Sequence, residues 1–518
     1  MRKLFVLLAL VMTSMFTSAA NKIQLSDIAN GKFAARYVSG IHPIDGTSLY
    51  ARISDDGKKV VEYSFKTGKQ TRVLFDVDNT MGKKLDGFDG YILSPDGTHM
   101  LIQTKKQSIY RRSFKAQYYI YTIASRKLEP LSEGGPQQVP TWSPDGRQVA
   151  FVRDNNIFLV KLLYDNAESQ VTKDGAFNQV INGVPDWVNE EEFGLSKALT
   201  FSADGTMICW VRYDESAVKT YSLQMFAGEK PRHDEYAAYP GLYSYKYPKA
   251  GEDNSKVSVW SYDIKSHKAQ KLQVPLDADG YIPRIKATND ASRLLVYTFN
   301  RHQDNLSIYS VNPRSTVATL LISDKANKYV KEEVLEGIEV GANTILLPSE
   351  RNGFMNLYLY NMNGKLLRTV GNGTFDITAN YGYDEATGDI YYQAAALNAH
   401  DRQVFVSHKN GKTTRLTNQE GWNSAIFSAD HKYFVNTWSD YNTPFVFTVR
   451  DAQGKVLSTP EDNAALKQKV AEYGWTKKEP FSFTTSEGVK LDGWMVKPAN
   501  FDASKKYPVI LFQYSGPG

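Results

Sequence analysis

A short turn sequence recurs along this chain and constrains its fold more than any other feature. The clearest copies are Ser94-Pro95-Asp96-Gly97, Ser143-Pro144-Asp145-Gly146 and Ser202-Ala203-Asp204-Gly205, and each directly precedes a run of apolar residues. Proline presets φ for a turn, aspartate caps the turn through its side chain, and glycine adopts positive φ. Each copy therefore predicts a tight turn that leads into a β-strand.

Five weaker copies bring the number of predicted turns to eight. They are Ile44-Asp45-Gly46, Thr288-Asn289-Asp290, Gly341-Ala342-Asn343, Ala386-Thr387-Gly388 and Ser428-Ala429-Asp430. Most copies are separated by roughly 40 to 60 residues, a period typical of a propeller blade, whose two faces are buried only by neighbouring blades. We therefore predict a mainly β fold with an eight-bladed β-propeller over residues 21–460, and an insertion on one blade at about 214–256, where the spacing nearly doubles.

The pattern changes after about residue 460. Residues 464–473 predict a short amphipathic helix, and residues 481–485 and 490–496 predict two strands around a turn. The apolar run Val509-Ile510-Leu511-Phe512 is typical of a strand buried on both faces of a parallel sheet. Residues 461–518 are thus expected to begin an α/β domain that is truncated here, because such a domain needs further βα units.

The first twenty residues have the features of a cleaved secretory signal peptide. Arg2 and Lys3 precede an apolar run, and Ser18-Ala19-Ala20 supplies the small residues of a cleavage site. The apolar run is too short to span a bilayer, so no stable membrane anchor is expected after cleavage. Export of a chain with a single cysteine, Cys209, favours the periplasm, or secretion without disulfides.

Composition excludes several classes of protein. Hydrophobic residues make up 42% and charged residues 23% of the chain, as in ordinary globular proteins. The net charge of +5 is small for 518 residues and does not suggest nucleic-acid binding. No His/Cys pattern has zinc spacing and no phosphate-binding glycine motif is present, so neither a metal nor a cofactor is expected.

Two segments carry residues suited to binding a peptide. The acidic run Glu190-Glu191-Glu192 lies between Trp187 and Phe193. It is either a solvated charge cluster on a loop or a pair of carboxylates that converge on an ammonium group. Arg111 is either an exposed arginine of an edge strand or a guanidinium that binds carbonyl or carboxylate oxygens.

Tyr514 follows the predicted buried strand, at the edge of the sheet where open α/β sheets bind ligands. Its hydroxyl is suited to donate to an oxyanion, or its ring simply packs at a strand end. Ser515 lacks the preceding glycine of a nucleophile elbow, Gly-x-Ser-x-Gly, and is not expected to be a nucleophile.

Together these motifs resemble the dipeptidyl peptidase IV family of prolyl-specific serine peptidases. The resemblance rests on the signal, the propeller repeat and four motifs: Trp187-Val188-Asn189-Glu190-Glu191-Glu192-Phe193, Tyr110-Arg111-Arg112-Ser113-Phe114, Tyr247-Pro248-Lys249-Ala250-Gly251-Glu252-Asp253-Asn254 and Tyr514-Ser515-Gly516-Pro517. It implies that residues 461–518 begin an α/β-hydrolase peptidase domain. It also implies a periplasmic or secreted serine exopeptidase that releases X-Pro or X-Ala dipeptides.

The resemblance also implies roles for individual residues. Glu191 and Glu192 would bind the free amino terminus of a peptide substrate, and Glu190 would be a less favourable partner. Arg111 would hold a substrate carbonyl, and Tyr514 would contribute to the oxyanion hole. The Ser/Asp/His triad of the family lies downstream and is absent from this sequence, so we expect these 518 residues alone to be inactive.

Other assignments stay open at the level of sequence. A prolyl tripeptidyl peptidase or an endopeptidase of the same superfamily would share the repeat, and a non-catalytic periplasmic propeller that binds other proteins would share it too. Family members are commonly homodimers, so a homodimer is possible here as well.

Overall fold

The computed structural model describes residues 22–229 and 232–514. The predicted signal peptide, residues 1–20, and the loop residues Ser515, Gly516 and Pro517 lie outside the described residues. The protein is mainly β, and eight successive antiparallel sheets form an eight-bladed propeller arrangement. The fold class predicted from the repeat is confirmed.

The first three sheets follow a short helix, α1 (Leu25–Ala29). Sheet one contains β1 (His42–Pro43), β2 (Leu49–Ile53), β3 (Lys59–Ser64) and β4 (Gln70–Asp76); sheet two contains β5 (Met81–Gly82), β6 (Gly90–Leu93), β7 (His99–Ser108), β8 (Phe114–Thr122) and β9 (Lys127–Pro130); sheet three contains β10 (Gln138–Trp142), β11 (Gln148–Arg153), β12 (Asn156–Lys161) and β13 (Ala167–Gln170). Each sheet is an up-and-down meander, except that β5 joins the outer edge of sheet two in parallel with β9.

The fourth sheet carries an inserted helix and an inserted hairpin. Its strands are β14 (Val180–Asn182), β15 (Leu199–Phe201), β16 (Met207–Asp214), β19 (Lys256–Asp263) and β20 (Lys268–Lys271), with α2 (Trp187–Phe193) between β14 and β15, and a separate hairpin of β17 (Thr220–Met225) and β18 (Gly241–Lys246) between β16 and β19. The hairpin lies within the segment expected to be an insertion.

The remaining four sheets each contain four strands. They are β21 (Tyr281–Ala287), β22 (Leu294–Phe299), β23 (Asn305–Val311) and β24 (Ala318–Lys325); then, after α3 (Glu333–Gly337), β25 (Glu339–Val340), β26 (Thr344–Ser349), β27 (Asn356–Asn361) and β28 (Leu366–Val370); β29 (Ile377–Asp384), β30 (Asp389–Ala394), β31 (Gln403–Ser407) and β32 (Thr413–Arg415); and β33 (Trp422–Phe427), β34 (Tyr433–Ser439), β35 (Val446–Asp451) and β36 (Val456–Glu461). Short 3₁₀ turns occupy Val77–Asn79, Leu162–Tyr164 and Asp234–Tyr236.

All eight predicted turns join the first strand of a sheet to the second. In the copy before β16, the Ser202 hydroxyl donates to Asp204 at 2.6 Å and accepts from the Met207 amide at 3.0 Å. Burial alone would raise the pKa of Asp204, but hydrogen bonds from Ser202 and Thr206 outweigh it and lower the pKa to about 2. The repeat is thus a recurring hydrogen-bonded turn.

Alternation along the strands builds the core between adjacent sheets. In β7, Met100 and Ile102 pack with Val60 and Phe75 of sheet one, whereas Leu101 packs with residues of sheet three. Successive side chains of a strand point to opposite faces, so each strand contributes to two layers of core. Both faces of a blade are therefore buried by its neighbours.

The first and eighth sheets meet, although they lie at opposite ends of the repeat. The Ser48 hydroxyl donates to the Asp430 carboxylate at 2.5 Å. Asp430 belongs to the turn between β33 and β34, so the contact joins the last repeat to the first.

The chain divides into two compact units. The larger contains residues 39–436 and 449–458, and the smaller contains residues up to 38, residues 437–448 and residues from 459 onward. Within the smaller unit lie α4 (Ala464–Glu472) and a hairpin of β37 (Lys478–Thr484) and β38 (Lys490–Val496). The amide of Asn463 exchanges two hydrogen bonds with the backbone of Arg36, at 2.8 and 3.0 Å, which ties the start of the chain to α4.

The prediction of a buried strand at Val509–Phe512 is wrong for the structure described here. These residues have no regular secondary structure and are 80 to 94% exposed. A strand needs hydrogen-bonded neighbours, and in residues 22–229 and 232–514 no strand pairs with this segment. The start of a parallel α/β sheet is therefore not seen.

No helix in the described part of the chain is both long and apolar enough to cross a membrane.

Candidate functional site

The acidic run lies on a helix that interrupts the first strand of the fourth sheet. Both β14 and β15 pair with β16, and α2 fills the gap between them. The three glutamates therefore do not lie on a loop, as the alternative of a solvated charge cluster expected. A helix fixes the direction of each glutamate, because side chains on a helix follow its 100° rotation per residue.

Polar contacts hold both ends of α2. At the N-terminus, the Asp186 carboxylate accepts from the Asn189 amide at 2.9 Å and also from the Ser255 hydroxyl. At the C-terminus, Gly194 adopts a left-handed conformation at φ 63°, and Arg284 donates to the Phe193 carbonyl at 2.7 Å. Asp186 and Arg284 were missed from sequence, although an aspartate before a helix is a recognisable N-cap signal.

Aromatic contacts hold the two flanking positions of the helix. Trp187 packs against Tyr247, with ring centroids 4.1 Å apart and ring planes tilted by 31°. Phe193 is buried against Tyr281 and Phe299, at 5.2 and 5.9 Å. These contacts anchor α2 on both sides of its three glutamates.

Glu190 points into the protein and supports the neighbouring loop. It is 1% exposed, and its Oε1 accepts from the backbone amides of Arg112 and Ser113 at 2.7 and 2.8 Å. A carboxylate that binds two backbone N–H groups is already engaged. Glu190 thus fixes the segment that carries Arg111 and leaves the other two glutamates for a ligand.

Arg111 and Glu191 form an ion pair, with Nη2 and Oε1 2.7 Å apart. Arg111 lies in the loop between β7 and β8 rather than on an edge strand. Its side chain is 71% exposed, compared with 25% for Glu191. A guanidinium has five N–H donors, so Arg111 retains donors for a ligand while it holds Glu191.

Glu192 carries a negative charge that no residue in the described part of the chain neutralises by an ion pair. Partial burial raises the pKa of Glu192, and the neighbouring carboxylates of Glu191 and Glu332 raise it further. Like charges held close together favour a bound cation. The site therefore combines one paired and one unpaired carboxylate beside an exposed guanidinium.

A buried carboxyl group missed from sequence lies next to the N-cap of α2. Glu215 follows β16, at the base of the β17–β18 hairpin, and is 6% exposed. Burial raises the pKa of Glu215 to about 7, and the nearby Asp186 contributes to the shift. The charge of Glu215, at the start of the inserted hairpin, thus interacts with that of Asp186, at the start of the helix that bears the site.

Tyr514 is 94% exposed, and it belongs to the smaller unit rather than to the unit that contains Arg111. The expectation that it packs at a strand end is not met in this structure. Among residues 22–229 and 232–514, no cluster of three or more His, Cys, Asp or Glu side chains could hold a metal ion.

Comparison with known proteins agrees with this architecture. Residues 94–445 match the family model described as the dipeptidyl peptidase IV (DPP IV) N-terminal region. The crystal structure of Porphyromonas gingivalis dipeptidyl peptidase 4 superimposes with a TM-score of 0.90 at 38% identity, covering 94% of this chain and 69% of that one. Dipeptidyl peptidase 4 from Trichophyton equinum is 28% identical over 491 residues, or 92% of this chain, and the protein of the same name from Trichophyton rubrum is 28% identical over 486 residues.

The fold and the acidic helix thus define a β-propeller of the type found in the N-terminal region of dipeptidyl peptidases. The chain belongs to the dipeptidyl peptidase IV family. It spans 61% of the length of the Trichophyton relatives that it matches.

Proposed function

We propose that this chain supplies the substrate-binding propeller of a serine exopeptidase that releases N-terminal X-Pro or X-Ala dipeptides. The observation that carries the proposal is the unpaired Glu192 carboxylate next to the Arg111–Glu191 ion pair. A peptide ammonium between Glu191 and Glu192 would offset the repulsion that raises the pKa of Glu192. This arrangement selects substrates with a free amino terminus.

The same geometry accounts for the length of the released product. If the ammonium binds to Glu191 and Glu192, the exposed donors of Arg111 are available to the carbonyl oxygen of the first substrate residues. Two fixed contacts at one end of the peptide determine which bond lies beyond them. The acidic helix therefore measures the distance from the amino terminus to the scissile bond.

Of the residues in the proposed chemical step, we assign only Tyr514 to this chain. In the proposed acyl transfer, a serine activated by histidine attacks the carbonyl, and the Tyr514 hydroxyl donates to the developing oxyanion. The tetrahedral intermediate collapses by expelling the amine of the remaining peptide, which takes the proton held by the histidine. Water then hydrolyses the acyl-enzyme, which releases the dipeptide and frees the serine. Under this proposal the 518 residues bind peptides but do not cleave them.

The proposal extends to location and partners. The charged and apolar segments of residues 1–20 support export, so the proposed location is the periplasm or the medium. The proposed partner is a peptide with a free N-terminus. A homodimer through the β17–β18 hairpin is also proposed, because Tyr239 and Leu242 beside and within β18 are 82 and 70% exposed.

The test uses the complete gene product and two peptides, Gly-Pro-p-nitroanilide and its N-acetyl derivative. Release of nitroaniline from the free peptide alone is expected. Equal cleavage of both peptides would indicate an endopeptidase, and release of tripeptides from longer substrates would indicate a tripeptidyl peptidase. Binding of folded proteins without cleavage of any peptide would instead support the non-catalytic propeller.

A further inference from the structure

A cavity beside the candidate site is lined by three consecutive sheets. Its volume is about 560 Å³, within the range of small-ligand sites in proteins. The lining includes residues of β6 and β10, the loop at Arg112 and Ser113, and Ser196 and Lys197 before β15. We call it the first-strand cavity, because β6, β10 and β15 are the strands that directly precede the recurring turns of sheets two, three and four.

The lining of the first-strand cavity is cationic. Arg112 and Lys197 contribute to it, and in the described part of the chain no lining residue is acidic. Lys197 has no hydrogen bond or ion pair with any residue in 22–229 or 232–514. Lys197 is exposed to solvent, yet the surrounding protein removes enough water from its ammonium group to lower its pKa. The nearby Lys286 lowers the pKa of Lys197 further.

Further cations lie close to the lining. In addition to burial, Lys286 lowers the pKa of Lys197, and Arg112 lowers that of Arg284. Two carboxylates lie nearby, Glu190 on the Arg112 backbone and Glu336, which influences Arg284. Among the described residues of the lining itself, Arg112 and Lys197 are accompanied by no carboxylate, so a bound anion would neutralise positive charge there.

The remaining lining indicates an organic rather than an inorganic anion. Trp142, Phe114 and Val139 form apolar walls, while Gln103 and Gln138 add amide groups. A few polar groups set in an apolar wall are typical of sites for small organic ligands. A peptide combines a carboxylate with apolar parts that suit this lining.

We propose that the first-strand cavity is an anion-binding site that takes a peptide carboxylate, with Lys197 and Arg112 as its ligands. The carboxylate is either a C-terminal group or an acidic side chain, which share the same chemistry. The site is separate from the one formed by Glu191 and Glu192, because it recognises a negative group. It is built from residues of this chain alone and does not depend on the proposed peptidase activity.

The test is isothermal titration calorimetry on the 518-residue chain with acetylated amino acids. Acetylation removes the ammonium group, so these probes do not report on Glu191 and Glu192. N-acetylphenylalanine carries a C-terminal carboxylate, N-acetylglutamic acid α-amide carries one on its side chain, and N-acetylphenylalaninamide carries none. We expect at least one of the two carboxylates to bind about ten- to a hundredfold more tightly than the amide, since hydrogen bonds to charged groups are strong. The tighter of the two identifies the source.

Variants place the binding in the cavity. Lys197→Met is expected to weaken carboxylate binding by about ten- to a hundredfold, whereas Lys197→Arg retains the charge and most of the affinity. Lys268→Met, on the exposed strand β20, is the matched control and should leave the affinity unchanged. Circular dichroism verifies that each variant folds.

Three results would overturn the proposal. Equal affinity for the two acids and the amide would show that the carboxylate does not contribute to binding. Unchanged affinity in folded Lys197→Met would exclude the cavity. Displacement of the acetylated acid by inorganic phosphate at a lower concentration than the acid itself would exclude a carboxylate site.

Discussion

The guanidinium of Arg111 lies 2.7 Å from the carboxylate of Glu191, and this ion pair joins the β7–β8 loop of the second sheet to the helix inserted in the fourth. Glu190 reinforces the same connection by accepting two backbone N–H groups of the loop. Adjacent glutamates thus have separate tasks. Glu190 holds the loop and Glu191 pairs with Arg111, whereas in the proposed site Glu191 and Glu192 would together bind a substrate ammonium.

Replacement of Glu190 tests this division. Glu190→Ala should lower the free energy of unfolding of the chain by about 1–3 kcal/mol, because the buried amide of Ser113 loses its acceptor. Urea denaturation followed by circular dichroism measures the change. Glu192→Ala is the matched control and should not lower the free energy of unfolding, because Glu192 forms no ion pair within the described residues and the nearby carboxylates repel it. Equal losses in both variants would contradict the assignment.

Replacement of Glu192 is expected to affect substrate rather than stability. In the complete gene product, Glu192→Ala should reduce kcat/KM for a free-amino X-Pro substrate by about two to four decades, because an unpaired ammonium costs on the order of 3–5 kcal/mol. Chromogenic dipeptide assays give the ratio directly. An unchanged kcat/KM would refute the role of Glu192.

Tyr514 is predicted to act in the transition state. Tyr514→Phe in the complete gene product should lower kcat by roughly two to three decades with little change in KM, since a donor to the oxyanion matters most when charge develops. Steady-state kinetics on an X-Pro chromogenic substrate separate the two parameters. Wild-type kcat in the variant would exclude this role.

Glu215 predicts a dependence of stability on pH. Its pKa is about 7 in the folded chain and near 4.5 when unfolded, so the folded state binds the extra proton between these values. Stability should therefore fall as pH rises from 4.5 to 7, by on the order of 3 kcal/mol, and level off above pH 7.

Glu215→Gln should remove this component and stabilise the chain at pH 8 relative to the wild type. Urea denaturation at pH 5 and pH 8 measures both effects. Glu133→Gln, an exposed position, serves as the control and should retain the wild-type slope. A slope that persists in Glu215→Gln would assign the pH dependence to other groups.

The inserted hairpin is predicted to mediate a homodimer. Leu242→Glu places a charge on an exposed apolar position of β18, and burying that charge in an interface is unfavourable. The complete gene product should then sediment as a monomer in an ultracentrifuge. In contrast, Leu163→Glu, at a 71% exposed position in the 3₁₀ turn after β12, should not change its oligomeric state. A monomeric wild type would disprove the dimer.

The sequence by itself determined the repeat and the residue types of the site. Turn formation depends on neighbouring residues, so Ser143-Pro144-Asp145-Gly146 and its copies could be recognised without a structure, and eight turns predicted eight blades. The short helix near residue 464 and the hairpin after residue 478 were also predicted, because their patterns are local.

Tertiary structure alone decided which residues meet. The Arg111–Glu191 ion pair, the burial of Glu190 and the raised pKa of Glu215 depend on packing between sheets that are distant in sequence. The same reason explains the error at Val509–Phe512. An apolar run indicates that a segment tends to be buried. A strand forms only where a neighbouring strand supplies hydrogen bonds, and among the described residues no strand pairs with this segment.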